Sequence, residues 1–155
     1  MPLRFCDAAP FDAGDAPRIA LHVSDAPIDA QSIGRARGTL TVIGLGPGSA
    51  ELMTPAARAA LVAAQDVLGY ETYVRMAGPF RDDQRVHMTD NREELQRARH
   101  AFELASEGRR VVVVSSGDPG VFAMAAAVLE ALDEGHAAHP EWSAVKLAIV
   151  PGVSA

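Results

Sequence analysis

"VVVVSSGDPGVFAMA", residues 111–125, is the stretch on which the fold turns. Four consecutive valines without polar alternation describe a strand covered on both faces, and such strands lie centrally in parallel sheets flanked by helices. A turn-forming cluster follows, Ser115 to Gly120, and then a run able to enter a helix. In open α/β sheets ligands bind beyond the carboxyl ends of the strands. The loop at 115–120 is therefore where a binding crevice is expected.

Outward from the valines the chain alternates apolar runs with helical patterns. Strands are predicted at "TLTVIGL" (39–45), "DVLGY" (66–70), "RVHMT" (85–89), "RVVVVSS" (110–116) and "VKLAIVPG" (145–152). Between them, "TPAARAALVAAQ" (54–65) reads as a helix with Thr54 as N-cap and Pro55 at the first helical position. "ETYVRMA" (71–77) is a short helical candidate. Residues 90–108 form an amphipathic pattern with Leu95, Ala98, Phe102 and Ala105 on one face, closed by Gly108. Residues 120–135 give a further helix ended by Gly135. The pattern predicts an α/β fold, a five-stranded, mostly parallel sheet flanked by about four helices. Residues 1–38, interrupted by Pro2, Pro10, Pro17 and Pro27, read as an extension or linker with "RIALHVS" (18–24) as a short strand. The α/β domain then runs from 39 to 155.

With 155 residues, one domain is the expectation. A net charge of −6 has the wrong sign for nucleic acid, whose phosphates demand a basic face. Cys6 stands alone, so neither an intrachain disulfide nor a cysteine zinc site can form, and a cytoplasmic location is expected. No run reaches the roughly 18 apolar residues of a membrane span, so no membrane partner is expected. His136 and His139, bracketed by Gly135 and Pro140, read as loop residues and not as a metal pair.

Three predicted strands end in small-residue loops: "GLGPGSA" (44–50), "SSGDPG" (115–120) and "PGVSA" (151–155). "GLGPG" invites a dinucleotide reading, yet Pro47 removes a donor inside the turn, the third glycine is absent, and the helix starts near Thr54. A tight turn and a loop approached closely by a flat ligand both remain open for it. Asp118 has two readings as well, a cap on the following helix or a contact to ligand made directly or by shaping the loop. Arg75, Arg81, Arg85 and Arg92 read as solvated surface.

In this order and spacing, "TVIGLGPGSAELMTPAARAAL", "SSGDPGVFAMA" and "PGVSA" resemble the three motifs of the tetrapyrrole methylases, the S-adenosyl-L-methionine-dependent enzymes of cobalamin and sirohaem synthesis. The likeness runs from about Gly38 to Ala155. "VLGYETYV" (67–74) and the stretches around the second and third motifs are more similar to the branch acting at C17 of precorrin-3B than to the other branches. The resemblance implies methyl transfer to C17 with ring contraction to precorrin-4, and an S-adenosyl-L-methionine cofactor held largely by main chain between two α/β domains. By that likeness Gly117, Asp118, Pro119, Gly120 and Val121, with Pro151 and Gly152, match the cofactor site. Gly44, Gly46, Pro47 and Gly48 match the loop at the tetrapyrrole trough. It implies no metal, and it assigns no acid or base. Family members continue into a second domain after "PGVSA", so the implied partners are the tetrapyrrole, a C-terminal domain missing from this sequence, and a second copy in a full-length homodimer. Without the C-terminal half the chain is expected to be inactive. By the same likeness residues 1–38 read either as a simple extension or linker or as the remnant of an upstream fused domain. A reading of another class is a non-catalytic binding or assembly domain that keeps the fold.

Overall fold

The computed structural model describes residues 38–121 and 123–154, so the reading of 1–38 as linker, with its strand at 18–24, lies outside the described residues apart from Gly38. The described residues fall within a compact unit, Arg37–Ala155. Its elements run β1 (Thr39–Gly44), α1 (Pro55–Ala63), β2 (Asp66–Tyr70), α2 (Glu71–Ala77), β3 (Arg85–Thr89), α3 (Glu94–Ser106), β4 (Arg110–Ser115), α4 (Met124–Gly135) and β5 (Lys146–Val150). Short 3₁₀ turns occupy Ala50–Leu52 and Pro140–Ala144.

The strands assemble in the order β3-β2-β4-β1-β5, and every pairing is parallel. The valine strand sits in the middle. Val111 and Val113 point into a core built with Phe102, Ala98 and Ala101 of α3 and Val128 and Ala131 of α4. Val112 and Val114 point the other way, toward Ala57 and Leu61 of α1 and Val74 and Ala77 of α2. All four valines are at most 2% exposed. Each contributes about 1.5–3 kcal/mol by leaving water, so a polar residue at any one would forfeit more than most surface contacts supply.

Strand order also sets where the crevice falls. From β1 the chain passes through α1 to β2 and onward to β3 on one side, whereas from β4 it passes through α4 to β5 on the other. β1 and β4 are neighbours, so their outgoing loops part toward opposite faces at this point. That divergence opens a crevice at the carboxyl edge, the usual ligand position of such sheets.

Local signals explain the helix ends. Thr54 Oγ1 accepts from the Ala57 amide at 3.2 Å, with Pro55 opening the helix. Gly108 donates to the Ala105 carbonyl at 2.9 Å and closes α3. Two helices start later than their apolar pattern. Residues 90–93 form a self-capped turn, in which Asp90 Oδ1 accepts from the Arg92 amide and Glu93 Oε2 accepts from the Asp90 amide, so α3 begins at Glu94. α4 begins at Met124 because Ala123 is left-handed, with φ of 63°, and interrupts helical backbone there. Gly135 lies inside the last turn of α4, where a Cβ would stand 2.4 Å from the Trp142 ring.

Candidate functional site

The three small-residue loops meet at the carboxyl edge, and glycine is what lets them meet. A Cβ on Gly44 would fall 2.3 Å from the Gly117 carbonyl oxygen and 2.7 Å from the Gly152 Cα. One on Gly152 would fall 2.1 Å from the same oxygen. Contacts under 3 Å are barred to carbon, so the approach of backbone to backbone excludes every side chain here. Gly46 and Gly117 pair as an isolated antiparallel bridge, Gly117 donating to the Gly46 carbonyl at 3.0 Å and Gly46 returning the bond at 3.3 Å. Both have positive φ, 73° and 53°, which residues with a Cβ rarely adopt. Tight turn and close approach therefore coexist in "GLGPG", although what approaches is the neighbouring loops.

Asp118 links the outer two loops. Its Oδ1 accepts from the Gly120 amide at 2.8 Å, and its Oδ2 accepts from the Gly152 amide at 3.1 Å. The reading of Asp118 as a cap on the following helix is corrected: the N-cap of α4 is Ala123, and no side chain caps it. The carboxylate is instead spent on holding two loops together.

Of the residues matched to the cofactor side, Gly117 and Pro119 are buried, Asp118 and Gly152 half-buried, and Gly120, Val121 and Pro151 exposed on the rim. On the other side Gly44 and Gly46 are buried while Pro47 and Gly48 are exposed. Leu52 and Met76 stand exposed near the latter pair, Met76 Cε lying 2.8 Å from where a Gly48 Cβ would be. Val121 and Val153 are exposed apolar residues on the two loops that Asp118 joins. The edge thus offers main chain and apolar surface.

Arg75, Arg81, Arg85 and Arg92 are exposed, as the sequence suggests. Arg97 is different, and sequence reasoning passed over it. Only 3% exposed, it donates from Nε to Thr89 Oγ1 and from Nη2 to the Asp90 carbonyl, both at 2.7 Å. Burial lowers its pKa, a shift opposed by the charges of Glu94, Glu93 and Asp90 and by Tyr73. It lines a cavity of about 160 Å³ together with Tyr73, Asn91, Glu94, Ser115 and Met124. The signal was present in the spacing, because 97, 101 and 105 recur at four-residue intervals along the buried stripe of α3.

Residues 39–155 match the family model described as Tetrapyrrole (Corrin/Porphyrin) Methylases. The chain belongs to the tetrapyrrole methylases. It is 53% identical over 118 residues to the precorrin-3B C(17)-methyltransferase of a Sinorhizobium species, covering 76% of this chain and 45% of that protein. A crystal structure of the methyltransferase CobJ superimposes with a TM-score of 0.70 at 56% identity, covering 76% of this chain and 47% of the other. The uroporphyrin-III C-methyltransferase of Thermus thermophilus, solved in complex with S-adenosylhomocysteine, gives a TM-score of 0.52 at 26% identity over 76% of this chain and 46% of that one. This tetrapyrrole methylase chain thus spans about half the length of the relatives it matches. The α/β sheet predicted from the sequence is the one observed, with "mostly parallel" sharpened to wholly parallel among the described strands. No helix among the described residues is long and apolar enough to cross a membrane.

Proposed function

We propose that this chain is the N-terminal part of an S-adenosyl-L-methionine-dependent methylase acting at C17 of precorrin-3B, with ring contraction to precorrin-4. The observation carrying this reading is its 53% identity over 118 residues to a protein named for that reaction. The residues at the sheet edge fit such a cofactor. It bears no phosphate, and no α-helix begins on the "GLGPG" turn, since α1 starts only at Pro55. Exposed Gly120, Val121 and Val153 present main chain and apolar surface of the kind an adenosyl group is held by.

The bound cofactor would supply an already activated methyl group on a sulfonium. What remains for the protein is alignment and exclusion of water. Gly117, Asp118, Pro119, Gly120 and Val121, with Pro151 and Gly152, would hold it, and Asp118 contributes by fixing the two loops relative to each other. Of the loop formed by Gly44, Gly46, Pro47 and Gly48, exposed Pro47 and Gly48, flanked by exposed Leu52 and Met76, would face the tetrapyrrole, while buried Gly44 and Gly46 would hold that loop in place. Rigid glycine-to-glycine packing keeps these two groups in fixed register, which suits a transfer whose rate depends on orientation.

Calorimetric titration with S-adenosylhomocysteine tests this. The chain is titrated alone and after mixing with the C-terminal half of the Sinorhizobium relative, with NAD as the control ligand. Binding of S-adenosylhomocysteine in the mixture, with none of NAD, is expected. Failure in both samples refutes the cofactor assignment and favours a non-catalytic binding or assembly domain.

A further inference from the structure

Arg97 is a buried cation with no part in the methyl-transfer reading above. A guanidinium has five N–H groups. Among the described residues three have partners, and the third of these is the Met124 thioether, 3.5 Å from Nη1. Thioether sulfur is a weak acceptor, so the protein leaves this face of the fork poorly satisfied. No ion pair among the described residues includes it. Buried charges are ordinarily paired, because an unpaired one forgoes its hydration. Here the guanidinium instead lines a cavity of about 160 Å³ with Asn91 and Ser115, the last residue of the valine strand. That space exceeds the roughly 30 Å³ share of a single water.

We propose that Arg97 receives a carboxylate of the ligand bound at this sheet edge. The carboxylate is either an acetate or propionate arm of the tetrapyrrole or the amino-acid end of the S-adenosyl cofactor. The planar fork matches a carboxylate's two oxygens, and a half-satisfied fork in a cavity is pre-organised for that pairing. It also resolves a charge problem: a chain of net charge −6 does not attract a polycarboxylate as a whole, so a local cation must do so. Glu93 and Asp90 face the guanidinium from the turn before α3, each with a carboxylate oxygen on a backbone amide, and the Tyr73 hydroxyl faces it from α2. Glu94 is the carboxylate that shares the cavity wall.

The proposal rests on the proposed function, and the test separates the two. Affinities for uroporphyrin, S-adenosylhomocysteine and 5′-methylthioadenosine, which lacks the amino-acid end, are measured on the full chain mixed with the relative's C-terminal half. Arg97→Met is expected to weaken one ligand about 10- to 100-fold, the loss of a charge-assisted pair. Loss confined to uroporphyrin identifies the tetrapyrrole arm, and loss for S-adenosylhomocysteine with methylthioadenosine unchanged identifies the cofactor. Glu94→Gln, which removes the negative neighbour, should tighten the same ligand. Thr89→Val, which removes a structural hydrogen bond and keeps the cation, should retain most of the affinity. Wild-type affinity of R97M for all three ligands overturns the proposal, as does equal weakening of methylthioadenosine and S-adenosylhomocysteine. If wild type binds uroporphyrin but not S-adenosylhomocysteine, the cofactor assignment fails and the uroporphyrin comparison still decides Arg97. Binding of none of the three overturns both.

Discussion

Replacing Asp118 by Asn removes one charge and adds two N–H donors with almost no change of shape. In the native loop both carboxylate oxygens accept backbone amides, Gly120 at 2.8 Å and Gly152 at 3.1 Å. Asparagine has a single acceptor oxygen, so one of the two amides must face an amino group, donor against donor. Hydrogen bonds to a charged acceptor contribute about 1.5–3 kcal/mol, and the half-buried setting of Asp118 points to the lower end. A loss of about 1.5 kcal/mol corresponds to roughly a tenfold increase in opening of the affected loop. Amide hydrogen exchange reads this directly. The Gly120 or Gly152 amide should lose about tenfold in protection, while the Ala127 amide, bonded to the Ala123 carbonyl in the first turn of α4, keeps its own, because Asp118 does not cap that helix. Unchanged glycine protection, or a loss confined to the start of α4, would refute the two-loop clamp.

Two further perturbations test the frame around the site. Gly152→Ala places a methyl 2.1 Å from the Gly117 carbonyl oxygen, so one loop must move; destabilisation of about 1–3 kcal/mol is expected in urea unfolding, and wild-type stability would contradict the packing. At the start of β2, fully buried Asp66 accepts from Arg109 and bonds His87 Nε2 at 3.0 Å. Burial works to raise its pKa, but the hydrogen bonds and charges of Arg109 and His87 outweigh it and leave the carboxyl below the ordinary value. An unfolded aspartate titrates near about 3.9, so this stabilisation is complete above that pH and is lost as pH falls from there through the folded value. Asp66→Asn should therefore cost about 3 kcal/mol at neutral pH, with the gap to wild type closing below about pH 4. A gap that stays constant with pH would show that the charge is not what stabilises.

The strands and helices of this chain were largely legible because their signals are local. "DVLGY" and "RVHMT" became β2 and β3 residue for residue. The unbroken valines required two covering layers, which α1 and α2 on one face and α3 and α4 on the other provide. Thr54 opens α1 and Gly108 closes α3 through bonds to residues three along the chain, and the fixed φ of Pro55 suits the first helical position. Even the three loops could be placed at one sheet edge, since parallel strands put all their carboxyl ends together.

Tertiary structure alone decided which strands are neighbours and what the loops do to each other. The placement of β4 between β2 and β1 depends on how helices pack on both faces, and no nearest-neighbour preference encodes it. Capping was one of two readings open for Asp118, because its nearest helix was the only partner visible along the chain; its second partner, Gly152, is 34 residues away and reaches it only through the β4-β1-β5 order. Arg97 hid for the opposite reason, a cation on an apolar stripe whose worth depends on the cavity that β4, α2 and α4 close around it. Periodicity and capping are properties of a few consecutive residues, whereas a binding site is made of distant ones, brought together at a cost in chain entropy that only packing of the whole domain offsets.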